Sequence, residues 1–208
     1  MPTDDTPISG GLERPLRGGT NRRKIIVGGA ALVSGFGALA PETAMAAGAD
    51  DVEKAAPQPG DRFLLIKGEF KNELLRADML EPGGKPVECF PFDTGSDTAK
   101  RKNRLNRSLV LRLDPAEMDD DTRALSADGL LLYSAVCTHK GCTIKSWMEE
   151  ERRLRCHCHL SEFAALTGGD VMSGPAKYQL PMIPLAVDDE GFVVATAGFT
   201  SEPGGKTK

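Results

Sequence analysis

Four of the five cysteines and all three histidines fall between Cys137 and His159. They form two short segments, Cys137-Thr138-His139-Lys140-Gly141-Cys142 and Cys156-His157-Cys158-His159-Leu160-Ser161, with 13 residues between them. Thiolates and imidazoles gathered this closely are metal ligands before they are anything else. Structural zinc prefers C-x(2–4)-C and H-x(3–5)-H spacings, whereas the order here is C-x-H and C-x-x-H with two cysteines to spare. Covalent haem attachment needs C-x-x-C-H, which is absent. A [2Fe–2S] cluster with mixed ligation takes two Cys on one iron and two His on the other. One Cys and one His from each segment satisfy that demand. The two remaining cysteines, Cys142 and Cys158, stand at matching places, where a crosslink could tie the segments together in an oxidising compartment.

The two segments resemble the Rieske family, in its disulfide-containing branch, whose pattern is C-T-H-x-G-C followed by C-x-C-H-x-S. Every position of it is present, and the likeness runs over roughly residues 130–198. It is similar in particular to exported small Rieske subunits such as that of arsenite oxidase. The resemblance implies that Cys137 and Cys156 hold the inner iron and His139 and His159 the outer, solvent-facing one. It also implies a disulfide between Cys142 and Cys158. Gly174-Pro175-Ala176 corresponds to the family's proline loop, which shields the cluster; its plain alternative is a turn after Val171-Met172. Ser161 matches the serine whose hydroxyl bonds a cluster sulfide. Phe163 takes the place of a tyrosine that in quinol-oxidising members bonds a ligand-cysteine sulfur. His157 replaces a usual proline, and since the family's ligand histidine lies three residues after the cysteine, His159 is the expected ligand and His157 faces solvent. Cys89, in the run Val87–Phe92, reads as a small buried apolar residue.

The elements that must position these segments are strands. Short β-like runs occur at Arg62–Ile66, Val87–Phe92, Ser108–Leu113, Leu130–Val136, Arg153–Cys156, Ile183–Val187 and Phe192–Thr196. The last two flank Asp188-Asp189-Glu190-Gly191, a hairpin signal. Each ligand segment begins where an apolar run ends, so both can project side by side from a hairpin-like pair. Asp114-Pro115-Ala116-Glu117 offers an N-cap, a proline at the first helical position and an early acid, and predicts one short helix. Many short strands without long amphipathic helices predict an all-β antiparallel sandwich or small barrel. The resemblance adds a small cluster-binding subdomain of two loops, about residues 135–178, within a domain spanning 61–199. Five basic residues between Lys100 and Arg107 read as a solvated loop, with a docking patch for an acidic partner as the second reading.

Composition narrows the rest. The 208 residues carry 26 Lys+Arg against 30 Asp+Glu, a formal charge of -4, which excludes the basic excess of a nucleic-acid binder. A 40% apolar fraction excludes a polytopic membrane protein. At the N-terminus, a polar stretch ends in Arg22-Arg23-Lys24 and is followed by a soft apolar run, Ile25 to Ala40, and by Ala44-Met45-Ala46. That order predicts an export signal over residues 1–46 cut after Ala46, with Arg22 and Arg23 as a twin-arginine element. A retained anchor is the alternative, although the run is shorter and richer in glycine than a bilayer span. Residues 47–60 read as a linker and 200–208 as a flexible tail.

These readings lead to a periplasmic one-electron carrier or electron-transfer subunit that uses a [2Fe–2S] cluster to serve a redox protein partner. No nucleic acid is expected, and membrane contact only if the N-terminal segment is retained. No Ser/His/acid set remains once the histidines are assigned, so no independent catalytic site is expected. The alternatives are a quinol-oxidising Rieske subunit of a cytochrome bc complex, which Phe163 opposes, and an oxygenase-type ferredoxin, which the export signal and the two extra cysteines oppose.

Overall fold

A computed structural model describes residues 48–205. The predicted signal, including Arg22 and Arg23, lies outside the described residues. The chain runs through α1 (Ala49–Lys54), β1 (Arg62–Leu65), β2 (Val87–Asp93), β3 (Thr98–Ala99), β4 (Ser108–Arg112), α2 (Asp120–Leu125) and β5 (Leu130–Ser134). It continues through β6 (Ser146–Met148), β7 (Arg153–Arg155), β8 (Glu162–Ala164), β9 (Asp170–Ser173), β10 (Leu185–Val187) and β11 (Val193–Ala195). The protein is an all-β fold with few helices. A five-stranded antiparallel sheet has the order β1-β2-β4-β5 with β3 on β2; a second sheet runs β6-β7-β8-β9, and β10 pairs with β11.

Strands β4 and β5, at one end of that sheet, are apolar on both faces. Leu109 and Leu111 on β4 and Leu131 and Tyr133 on β5 enter one core, which also contains Cys137, Cys156 and Phe163. The alternate residues, Val110, Leu130 and Leu132, enter a second core with Phe63, Cys89, Val193 and Ala195. The two-residue side-chain period of a strand divides the continuous Leu130-Leu131-Leu132-Tyr133 run between the two cores. Cys89 is fully buried, and burial pushes its thiol far above the ordinary range, so it is inert packing.

Several expectations are corrected. Residues 49–54, read as linker, form helix α1; Lys102 pairs with Asp50 at 2.6 Å and with Glu53 at 2.5 Å, fixing the helix to the body. The stretch from Lys100 to Arg107 is not uniformly solvated. Lys100 is wholly buried, its Nζ 2.7 Å from the equally buried Asp61 carboxylate and 3.2 Å from the Ala56 carbonyl. Asn106 donates to the carbonyls of Ala55 and Lys100, at 2.7 and 3.0 Å. Those bonds satisfy the carbonyls of Ala55 and Ala56 and the Asp61 carboxylate, and tie that segment to the Lys100–Asn106 stretch. The helix expected at residues 114–117 is a single 3-10 turn, Pro115–Glu117, capped by Asp114; the α-helical turns follow in α2, capped by Asp119. The tail is also ordered as far as residue 205. Thr200 N donates to the Met182 carbonyl at 2.8 Å and Gly204 is buried.

Candidate metal centre

The two ligand segments do not come from one hairpin, as the sequence suggested. The first follows β5 of the five-stranded sheet, and the second lies between β7 and β8 of the other. Their internal backbone bonds are nonetheless the same. In the first, Cys137 N donates to the Cys142 carbonyl at 2.9 Å and Gly141 N to the Cys137 carbonyl at 2.9 Å. In the second, Cys156 N donates to the Ser161 carbonyl at 2.8 Å and Leu160 N to the Cys156 carbonyl at 3.0 Å. Each turn closes only if its fifth residue enters the left-handed region, and Gly141 (φ 74°) and Leu160 (φ 58°) both do. Glycine takes that conformation freely, whereas leucine carries a steric cost.

A disulfide joins Cys142 to Cys158 and holds the two loops together. Its sulfurs lie within 4.8 Å of Cys156 Sγ. Cys137 and Cys156 are each only 1% exposed, and Cys156 is near enough to act on the Cys137 thiol. Burial pushes the Cys137 thiol up to about 11, and the neighbouring Cys156 adds to that, while the backbone N–H groups of His139 and Lys140 pull in the opposite direction. A positive metal reverses this balance and displaces the proton outright. The two imidazoles lie farther out: His139 is half-buried, His159 is exposed, and their rings meet edge to face with centroids 4.6 Å apart. Loss of water and the nearby His159 and Lys140 hold His139 below its ordinary pKa, favouring the neutral, metal-binding form. His139 Nδ1 is buried without a hydrogen-bond partner among the described residues. Such an unpartnered buried atom in a native site usually has a role, and metal ligation is one that an imidazole nitrogen can fill.

A third loop closes over the second. Gly174, at φ 85°, lies against residues 160–161; a Cβ there would come within 2.5 Å of Ser161 Cα and 2.8 Å of the Leu160 carbonyl oxygen. Ala176 N donates to Ser161 Oγ at 3.1 Å, leaving the Ser161 hydroxyl proton free to donate elsewhere. Pro175 itself is exposed. Phe163 on β8 is fully buried in the core that contains both ligand-type cysteines. His157 is exposed, its ring 3.9 Å from the disulfide sulfur of Cys158. The first loop has a different set of supports, which the sequence reading missed. Thr138 Oγ1 donates to the Tyr178 carbonyl at 2.7 Å and Arg104 Nη1 to the Gly141 carbonyl at 3.2 Å. Gly205 packs on the backbone of Lys140 so tightly that a Cβ would sit 2.8 Å from its Cα. Only Thr138, inside the C-T-H motif, had a sequence signal.

Two buried thiols, two outward imidazoles and an orphaned buried ring nitrogen fit a mixed Cys/His [2Fe–2S] cluster. Comparison with known proteins agrees. The family model for the Rieske [2Fe-2S] domain matches residues 97–184. The chain is 36% identical over 159 residues to a cytochrome bc1 complex Rieske iron-sulfur subunit of Streptomyces lividans, covering 72% of this chain and 93% of that one. It is 31% identical over 180 residues to a protein of Haloferax mediterranei named as a respiratory nitrate reductase Rieske subunit, covering 84% and 77%. Among solved structures, a plasma membrane Rieske protein from Synechocystis aligns with 53% of this chain and 86% of that one, at 22% identity and a TM-score of 0.35.

Proposed function

The chain belongs to the Rieske [2Fe–2S] family, and from that premise we propose that it is an exported electron-transfer subunit that passes single electrons to or from a partner oxidoreductase. The cluster supplies a one-electron couple whose potential in this family lies between those of all-cysteine ferredoxins and the high-potential carriers. Cys137 and Cys156 are the ligands on the buried side, and His139 and His159 those on the exposed side. The observation that carries the reading is this gradient of burial. The cysteines are sealed in the core at 1% exposure, while the His159 ring stands at the surface. Electrons therefore enter and leave at the histidine end.

The chain's own groups define that end. The backbone N–H groups of His139 and Lys140 orient the first cysteine, and the disulfide fixes the spacing of the loops. Gly174 and Ala176 seat the third loop on Ser161. Leu160, 51% exposed beside His159, gives the exit an apolar contact surface for a protein partner. Export is supported by the order of Arg22-Arg23, the apolar run and Ala44-Met45-Ala46, and by a disulfide of the kind that persists in oxidising compartments. No helix among the described residues is long and apolar enough to cross a membrane.

A second reading, a quinol-oxidising subunit of a cytochrome bc1 complex, is favoured by the relative from Streptomyces lividans. It is opposed by Phe163, which has no hydroxyl to offer a ligand sulfur. Affinity purification of the tagged chain from its native exported and membrane fractions separates the two. Co-elution with a non-haem oxidoreductase large subunit, and uptake of one electron per chain in an anaerobic reductive titration, is the expected result. Co-elution with a b-type cytochrome establishes the second reading, and a chain that takes up no electron contradicts both.

A further inference from the structure

Three sulfurs crowd one spot where the two cluster loops meet. Cys142, Cys156 and Cys158 place their Sγ atoms within 4.8 Å of one another, and two of them are already joined as the disulfide. The turn closed by Leu160 N on the Cys156 carbonyl carries Cys156 and Cys158 in one loop, and the crosslink delivers Cys142 from the other. Cys137, the second ligand thiol, stands outside this group of three. The three differ in exposure. Cys156 is sealed in the core at 1%, Cys142 is half-buried against the same core, and Cys158 is exposed. A third sulfur this close to a disulfide is positioned for thiol–disulfide exchange, in which a thiolate attacks a disulfide sulfur. As a metal ligand, Cys156 has its sulfur engaged and does not attack. Released from metal it is a thiolate, the nucleophile of that reaction.

We propose that loss of the cluster moves the free thiol from Cys156 to Cys158, so that a buried ligand is exchanged for an exposed cysteine open to modification. This rests on the assignment of Cys156 as a cluster ligand. The Cys156 thiolate attacks Cys142 Sγ; a Cys142–Cys156 bond forms and the Cys142–Cys158 bond breaks. The electron pair of the broken bond leaves on the Cys158 sulfur, which takes a proton from water. One disulfide and one free sulfur are present before and after, so no oxidant or reductant is consumed. Two effects direct the attack to Cys142 rather than to Cys158. The departing thiolate is then the exposed sulfur, whose charge water solvates. The loops also stay crosslinked, whereas a Cys156–Cys158 bond would lie within one loop and release the other. The product has one ligand sulfur tied up, and it accepts a new cluster only after a thiol reductant has opened that bond.

The test is made on the cluster-loaded full chain, its bound iron measured beforehand. The protein is kept anaerobic, with and without EDTA, and is then treated with iodoacetamide under native conditions. Peptide mapping without reduction reads both the label and the disulfide. Loaded protein should take no label at Cys158. Metal-free protein should carry the label on Cys158 in most chains, with Cys142–Cys156 as its disulfide. Cys137→Ser removes a ligand but leaves all three sulfurs in place, and it should give that second map without EDTA and with no iron or sulfide present. A metal-free map that keeps Cys142–Cys158, or that shows a Cys156–Cys158 or a Cys137–Cys156 bond, would overturn the proposal. So would a Cys158 label of equal extent in the loaded protein. A chain that binds no iron at the outset contradicts the ligation instead, and the Cys137→Ser map then still decides whether the exchange occurs.

Discussion

The two cluster loops share their internal hydrogen bonds residue for residue, yet they are held from outside in opposite ways. Loop 137–142 has a glycine at its left-handed position and is clamped by Arg104, by the Tyr178 carbonyl and by the C-terminal Gly205. Loop 156–161 carries a leucine there, exposed and sterically costly, and is steadied by the Gly174 loop and Ser161. The disulfide couples one to the other. The shared bonds are those that a cluster demands of any loop that presents a Cys and a His to it. The differing supports are free to serve packing on one side and partner contact on the other. Leu160 illustrates the second use, because a left-handed leucine adds no stability where it stands but puts an apolar surface beside an outer histidine.

The largest effect comes from removing what the loops have in common. Cys137→Ser or Cys156→Ser should abolish the cluster, seen as complete loss of visible absorption and of bound iron, whereas His157→Ala should retain both. Next in size is the left-handed geometry. Gly174→Ala forces a Cβ against the Ser161 backbone and should cost at least about 2 kcal/mol, read as lowered stability in chemical unfolding and faster cluster loss. Leu160→Gly should do the reverse, gaining up to about 1 kcal/mol by removing the left-handed penalty, while slowing electron exchange with the partner. If Leu160→Gly destabilises, the contrast between the loops is wrong.

A smaller effect isolates the first loop. Truncation after Glu202, or Arg104→Ala, removes contacts with residues 140–141, the truncation also removing the packing of Gly204 on Leu105. Amide exchange should then quicken at Lys140 and Gly141 and stay unchanged at His159 and Leu160. The smallest effect concerns sulfur hydrogen bonding. Such bonds favour the more negative, reduced state and raise the potential. A bond worth roughly 1 kcal/mol corresponds to about 40 mV for one electron, on a scale where a tenfold change is about 59 mV. Ser161→Ala should therefore lower the midpoint potential by some tens of millivolts, and Phe163→Tyr should raise it by a similar amount. Voltammetry of both variants at one fixed pH measures this.

Much of the site could be read from the sequence because its chemistry depends on residue type and spacing, and both segments keep a fixed pattern. Strand β5 was legible for a similar reason: Leu130-Leu131-Leu132-Tyr133 is long and apolar enough to stand out. Strands β3, β6, β8 and β9 were missed. Each is only two to four residues long and polar or mixed, and it is held in place by its neighbours in the sheet more than by its own propensity. Lys100 was misread because charge alone predicts exposure. The Asp61 that pairs with it lies 39 residues away, and no local pattern announces it. The ordered tail at Gly204 and Gly205 was hidden for the complementary reason: two glycines read as flexibility, but here their missing side chains permit close packing on Leu105 and Lys140.

The central claim is that one cysteine and one histidine from each loop hold a [2Fe–2S] cluster, with His139 and His159 as its two imidazoles. Pulsed electron paramagnetic resonance on the reduced protein, with histidine nitrogen-15 labelled, tests it most directly. The account predicts couplings from two histidine nitrogens, both unchanged in His157→Ala. A spectrum without nitrogen coupling, or one coupling lost when His157 is replaced, would contradict it.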